Sequence, residues 1–249
     1  MAEEAERKRM EHRALFAVLL ACTVVPAVVF SGLIPVNGAR MTEFYGISRE
    51  RLGGTLMVAM AVFGPLGLAG GWLASRFGVV RVLAGSQVLL GAGLLLYAAY
   101  PGIGWPLVLV ISCTMSGNAL VGIGNKAAVE LMPKKSGRGA NLLHGVNALG
   151  KLAGPIIAGI FIGIWWRAGF AATGAMPLVL AVLVMALGRG YHRGEMSVGS
   201  GSARGVLKDW YFWAAVGGFG MIAGAEACSN FMLPQYLTGR GFSPAAAAY

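Results

Sequence analysis

Seven stretches of this chain are apolar over a length that crosses a bilayer, and that pattern excludes most ways of folding it. They lie at 14–36, 52–74, 82–100, 105–132, 141–164, 170–188 and 210–237, and an eighth begins at Ser243. A helix needs about 20 such residues to span the hydrocarbon core. Lipid offers no water to backbone N–H and C=O groups, so apolar runs of this length must close their hydrogen bonds internally as helices. Composition agrees, with 57% hydrophobic residues, 12% charged residues and 39 glycines. A soluble domain of this length needs more polar surface than that to cover itself. Small residues also let membrane helices approach closely. The expected fold class is all-α integral membrane.

The basic residues set the expected orientation. With the N-terminus inside, Arg7, Lys8, Arg9, Arg13, Arg76, Arg81, Lys134, Lys135, Arg138, Arg189, Arg193, Arg204 and Lys208 fall on one side, thirteen in all. The other side carries five, namely Arg40, Arg49, Arg51, Arg167 and Arg240. Short cytoplasmic loops collect Lys and Arg, so the N-terminus is expected to be cytoplasmic in a multi-pass protein of the cell (plasma or inner) membrane. The net charge of +10 is thus a topology signal and no nucleic-acid partner is expected. The expected partners are the lipid bilayer and a small-molecule solute, with protons a further candidate. The cysteines Cys22, Cys113 and Cys228 lie far apart inside apolar runs and lack metal-ligand spacing, which points to packing. No metal, cofactor, catalytic residue or phosphate loop is expected, and the chain is not read as an enzyme.

Residues 189–208 form the one sizeable interior linker, with Gly194, Gly201, Gly205 and a Ser/Gly run from Ser197 to Ser202. Its composition is that of a flexible, solvated segment. The expected division is 1–188 as a six-helix transmembrane half, 189–208 as a cytoplasmic linker and 209–249 as the start of a second half. The chain ends as a helix begins, which reads as C-terminal truncation; a half-size transporter that dimerises is the alternative.

Between the second and third apolar runs stands Gly71-Trp72-Leu73-Ala74-Ser75-Arg76-Phe77-Gly78-Val79-Val80-Arg81. This resembles the loop of the major facilitator superfamily, G-x-L-A-D-R-x-G-R-R/K. Gly71, Leu73, Ala74, Arg76 and Gly78 match in register and Arg81 supplies the distal base. Ser75 stands where the family has an acid. The resemblance implies the superfamily fold, with a complete N-terminal six-helix half plus span seven and the start of span eight. It also implies secondary transport by alternating access, the loop acting as a gating latch that Ser75 weakens.

Charged groups at membrane depth are costly, so each is a functional candidate. Lys126 and Glu130 are four residues apart and can neutralise each other on one helix face. Alternatively, Lys126 faces a cavity beside Asn118, Gly122 and Asn125. The fifth run opens Asn141-Leu142-Leu143-His144-Gly145-Val146-Asn147-Ala148-Leu149-Gly150-Lys151, with Asn147 and Lys151 one turn apart. Asn125, Lys126, Asn147 and Lys151 are the expected solute-binding set. His144 and Glu226 are the expected coupling groups, Glu226 being the carboxylate well inside the cavity region. A pair with Lys151 that fixes packing is the bland alternative for Glu226.

The segment "NLLHGVNALGKLAGPIIAG" resembles span five of fucose-permease-like sugar transporters, whose substrate-contacting asparagine falls on Asn147. The family's acids in spans one and four are not matched. Gly150-x-x-x-Gly154-Pro155-x-x-Ala158-Gly159 also resembles the span-five signature of drug–proton antiporters. Together these imply a transporter of a small polar or anionic solute, such as a sugar or organic acid. The alternatives are a drug/proton antiporter-type efflux protein and a non-transporting fragment.

Overall fold

The computed structural model describes residues 2–100, 122–125, 136–190, 208–243 and 246, and nearly all of them are helical. Helix α1 (Ala2–Val28) runs through a widened π turn at Val29–Leu33 into α2 (Ile34–Tyr45). The widened turn sits between Pro26 and Pro35. Each proline lacks an N–H and crowds the carbonyl four residues back, so a regular ladder cannot pass both. The chain bridges the gap with the Ile34 N–H donating to the Val29 carbonyl, five residues back.

The expected end of the first span is corrected here. Helical backbone begins already at Ala2, the candidate span starts at Arg13 close to the expected residue 14, and the helix continues past residue 36 to Tyr45. Only Gly46–Ser48 then separates α2 from α3 (Arg49–Phe77). The physical reason is capping. Gly46 takes φ 61° and donates to the Glu43 carbonyl, the Ile47 N–H donates to the Thr42 carbonyl, and the Ser48 hydroxyl accepts from the Arg51 N–H at 3.2 Å. One helix stops and the next starts within three residues.

Helix α4 (Val79–Ala99) follows directly, then α5 (Ser136–Ile162), α6 (Ala168–Leu187) and α7 (Trp210–Gly239). Among the described residues four helical stretches are long and apolar enough to cross a membrane: Arg13–Tyr45, Val79–Ala99, Gly137–Ile162 and Ala168–Leu187. Helices α3 and α7, with 29 and 30 residues, match that length. The expected fourth span lies outside the described residues except for 122–125, as do most of the linker and most of the eighth span's beginning.

The core centres on α1 and the widened turn, where Leu19, Cys22, Val25, Val29 and Leu33 are sealed from solvent. α1 packs on α5, and α4 packs on α6. Both contacts are close backbone approaches. A Cβ on Gly154 would lie 2.8 Å from the Val28 carbonyl oxygen, and one on Gly91 would lie 2.8 Å from the Gly174 carbonyl oxygen. In lipid, where apolar tails compete equally for apolar side chains, such close packing supplies the helix–helix attraction. The outward faces are apolar, with Leu149, Leu152, Ile160, Val179 and Val182 all exposed. On α7, exposed Trp213 and Tyr236 are separated by about 35 Å at helical rise, a bilayer core's span with its aromatic margins.

Candidate functional site

The seam between α1 and α5 carries the most polar chemistry that the described residues bring together. Leu143, Asn147, Gly150, Gly154 and Ala158 recur at intervals of three and four, so they share one face of α5. That face is turned to α1. A Cβ on Gly150 would lie 2.7 Å from the Val24 carbonyl oxygen, and Leu143 and Ala158 are fully buried. Asn147 takes a bond across the seam, its Nδ2 donating to the Thr23 carbonyl at 3.0 Å. The Thr23 hydroxyl in turn donates to Leu20 at 2.8 Å. Pro26 and Pro155 interrupt the two ladders near the seam. Helix carbonyls have a second lone pair, and a side-chain amide one turn from a proline break strengthens the join where the backbone is weakest.

Lys151 lies one turn beyond Asn147, half-buried at the edge of this face. His144, seven residues earlier, occupies the same edge but is exposed. The helical stretch 122–125 meets the start of α5. A Cβ on Gly124 would lie 2.9 Å from Leu143 Cδ1. Asn125 follows, half-buried, its carboxamide oxygen enclosed and accepting no hydrogen bond from the described residues. The structure therefore brings the Asn125 stretch to the α5 segment that carries His144, Asn147 and Lys151. Lys126 and Glu130 lie outside the described residues. The Glu226 backbone belongs to α7, which packs on α2; its side chain is outside the described residues.

The expected gating loop is almost entirely helix, which corrects the reading of residues 71–81 as a turn. Gly71, Ser75 and Arg76 are in α3 and Arg81 is in α4. The break is one residue, Gly78, at φ 88° and ψ 144°. An L side chain rarely adopts that backbone, so the turn depends on glycine. The Gly78 N–H donates to the Ala74 carbonyl at 2.9 Å, and Ala74, Val79, Val82 and Ile123 form a small apolar core beneath it. Arg76 is exposed in the last turn of α3, its guanidinium carbon 5.9 Å from the Phe77 ring centroid. A cation at a helix C-terminus is favourable by roughly 0.3–1 kcal/mol, whereas Arg81, in the first turn of α4, is opposed by the same dipole. Arg81 is thus placed against local stability. The Ser75 side chain lies outside the described residues.

Two buried polar sites were missed. Gln87 is fully buried in α4, and neither end of its carboxamide has a hydrogen-bond partner among the described residues. The Ser86-Gln87 pair at membrane depth was the available signal. Arg167 was expected as a loop base and is instead 8% exposed. Its Nη2 donates to the Ala98 carbonyl at the end of α4. Its guanidinium carbon lies 5.8 Å from the Phe44 ring centroid and 5.6 Å from that of Trp165. Tyr97, Trp166 and Phe170 complete an aromatic cluster, with Tyr97 and Phe170 edge-on at 4.8 Å.

A family model described as Major Facilitator Superfamily matches residues 19–249. Curated relatives include the Multidrug resistance protein B homolog of Mycobacterium tuberculosis from two strains, CDC 1551 / Oshkosh and H37Rv. Each is 33% identical to this chain over 132 residues, covering 52% of this chain and 24% of the relative. The chain thus spans about a quarter of the length of the curated relatives it matches. No solved structure matches.

Proposed function

Because the chain belongs to the Major Facilitator Superfamily, and so is a multi-pass membrane transporter and not an enzyme, we propose that it exports drug-like solutes in exchange for protons. The observation that carries this reading is the seam. A sugar-binding role asks Asn147 to present its amide to a solute, yet that amide donates to the Thr23 carbonyl at 3.0 Å. Gly150 and Gly154, part of the segment that resembles the antiporter signature, lie directly against α1 and the widened turn that follows it. The similarity to proteins named for multidrug resistance points the same way.

In this reading residues 1–188 act as one six-helix half, 189–208 link it and 209–249 open the second half. The N-terminus lies on the cytoplasmic side of the cell membrane. Glu226 exchanges the proton, with His144 at the cytoplasmic mouth as a relay. Asn125 and Lys126 line the solute path, and half-buried Lys151 stands at its edge, out of contact with a cationic dye. Gly71, Ser75, Arg76, Gly78 and Arg81 form the latch, which Ser75 weakens by bringing no charge to the arginines. A second reading, transport of a small anionic solute, draws on half-buried Lys151 at the seam edge.

Everted vesicles carrying the protein separate the two. Export predicts that an imposed pH gradient drives uptake of a lipophilic fluorescent cation, and that Glu226→Gln removes the drive while leaving dye binding in place. Lys151→Ala should leave dye transport within a factor of about three, a change worth under 1 kcal/mol. Gradient-driven movement of an organic acid, lost in Lys151→Ala with the dye unmoved, establishes the anion reading instead.

A further inference from the structure

At the end of the bundle opposite Gly78, we propose an oxyanion site built on Arg167 that takes a phosphate group. The argument begins with an unbalanced charge. An arginine stays protonated in any protein environment, and a buried cation is costly unless an anion or a full set of acceptors meets it. Arg167 is 8% exposed, and its Nε is enclosed without an acceptor among the described residues. Its contacts are one backbone carbonyl and two aromatic faces. None of these neutralises it.

The chain's own acids do not fill the gap. Among the described side chains, Glu43 and Glu50 are the carboxylic acids on the segments that form this end. Both are exposed. Glu43 Oε2 pairs with Arg40 at 3.4 Å, and Glu50 turns back to its own backbone and Ser48. Meanwhile Arg167 is the N-cap of α6, a helix of 20 residues whose N-terminus adds partial positive charge at the same place. Tyr97 is 1% exposed, its hydroxyl enclosed without a hydrogen-bond partner among the described residues, and its ring packs edge-on to Trp166 and Phe170 beside Arg167. A cation and a helix N-terminus converge beside Tyr97, with no negative group supplied by the described side chains.

The rim indicates where the phosphate comes from. Phe44 and Trp165 are each 50% exposed and Ile164 is 81% exposed. Aromatic and aliphatic side chains around a buried base match the depth of lipid headgroups, where amphipathic rings settle. A headgroup phosphodiester and free phosphate share the chemistry that Arg167 reads, a fork of N–H donors against paired oxygens.

The test is thermal unfolding of the detergent-purified protein, titrated with short-chain phosphatidylglycerol, with inorganic phosphate, and with chloride at matched ionic strength. A saturable rise in melting temperature with the lipid alone assigns the site to a headgroup; an equal rise with phosphate assigns it to the free ion. Arg167→Gln should weaken the apparent affinity at least about tenfold. Should that variant fail to fold, Arg167→Lys keeps the charge but loses the fork, and Tyr97→Phe keeps the ring but loses the hydroxyl. Each should weaken binding by a smaller factor. No shift beyond chloride for the unmodified protein overturns the proposal, and so does a shift that all three variants retain in full.

Discussion

The two ends of this helical bundle solve the same problem, joining and holding helix termini, with opposite means. At one end α3 and α4 meet through Gly78 alone, a backbone position that only glycine occupies without strain, and arginines 76 and 81 stand in the open. At the other end α2, α4 and α6 and the turn at Ile164–Arg167 are gathered by side chains, with an arginine enclosed among rings. The first join is local and conformational. The second is long-range and chemical, since Arg167 reaches a carbonyl 69 residues away. A local join can be re-made by the same few residues after each excursion. A long-range one fixes several helices as a block. The Gly78 end is thus suited to repeated rearrangement and the Arg167 end to rigidity.

The sharpest way to break this comparison is Arg167→Ala. It removes a charge-assisted hydrogen bond and two cation–π contacts, which together should cost about 2–4 kcal/mol. Thermal unfolding in lipid nanodiscs reads this out. A stabilised variant would mean that burying the guanidinium costs more than these contacts return, and that the rings alone hold this end. Gly78→Ala comes next. An L residue at φ 88° should lose about 1–3 kcal/mol in the same assay, with α3 and α4 themselves left helical by circular dichroism.

Arg81→Ala should move the other way. Removing a base from the first turn of α4 relieves roughly 0.3–1 kcal/mol of dipole repulsion, so stability should rise slightly while transport falls. Equal transport would place Arg81 outside the mechanism. The smallest effect belongs to Glu50, whose carboxylate is held below its ordinary value of 4.5 by hydrogen bonds from its own backbone N–H and the Ser48 hydroxyl, and by nearby Arg49. A lowered value means that the folded state favours the ionised form. That stability is present above pH about 4.5 and fades as pH falls through the lowered value. A shallow loss on acidification, absent in Glu50→Gln, is the expected result.

The same contrast explains what could be read from the sequence. A break between the second and third spans was legible from the glycines and arginines of 71–81, but its narrowing to Gly78 alone was not, because helical backbone runs on to Phe77 and resumes at Val79. The α5 spacing was legible in part: Asn147 and Lys151 were read as one turn apart, while the face that Asn147 shares with Gly150 and Gly154 emerged with the α1 contact. What spacing does not encode is the partner. Asn147 was read as open to solute, and its acceptor at Thr23 lies 124 residues away. Arg167 was placed in a loop because its neighbours are ordinary loop neighbours; burial came from α2 and α4 folding over it. Residues 37–45 were read as a connection because their polarity rises there. A helix that leaves the apolar layer keeps its geometry as long as nothing caps it, and the first cap is Gly46.

The widened turn at Val29–Leu33 has a consequence for phase. One extra residue in a turn rotates everything after it by about 100° relative to everything before. Leu19, Cys22 and Val25 present one set of directions to the core, while Asn37 and Met41 present another from the same unbroken rod. Trimming one residue from that turn would restore regular winding and swing Asn37 and Met41 out of the core, leaving the earlier contacts intact. The first membrane helix is thus two screws of different setting on one shaft, and its two ends can be tuned by mutation independently.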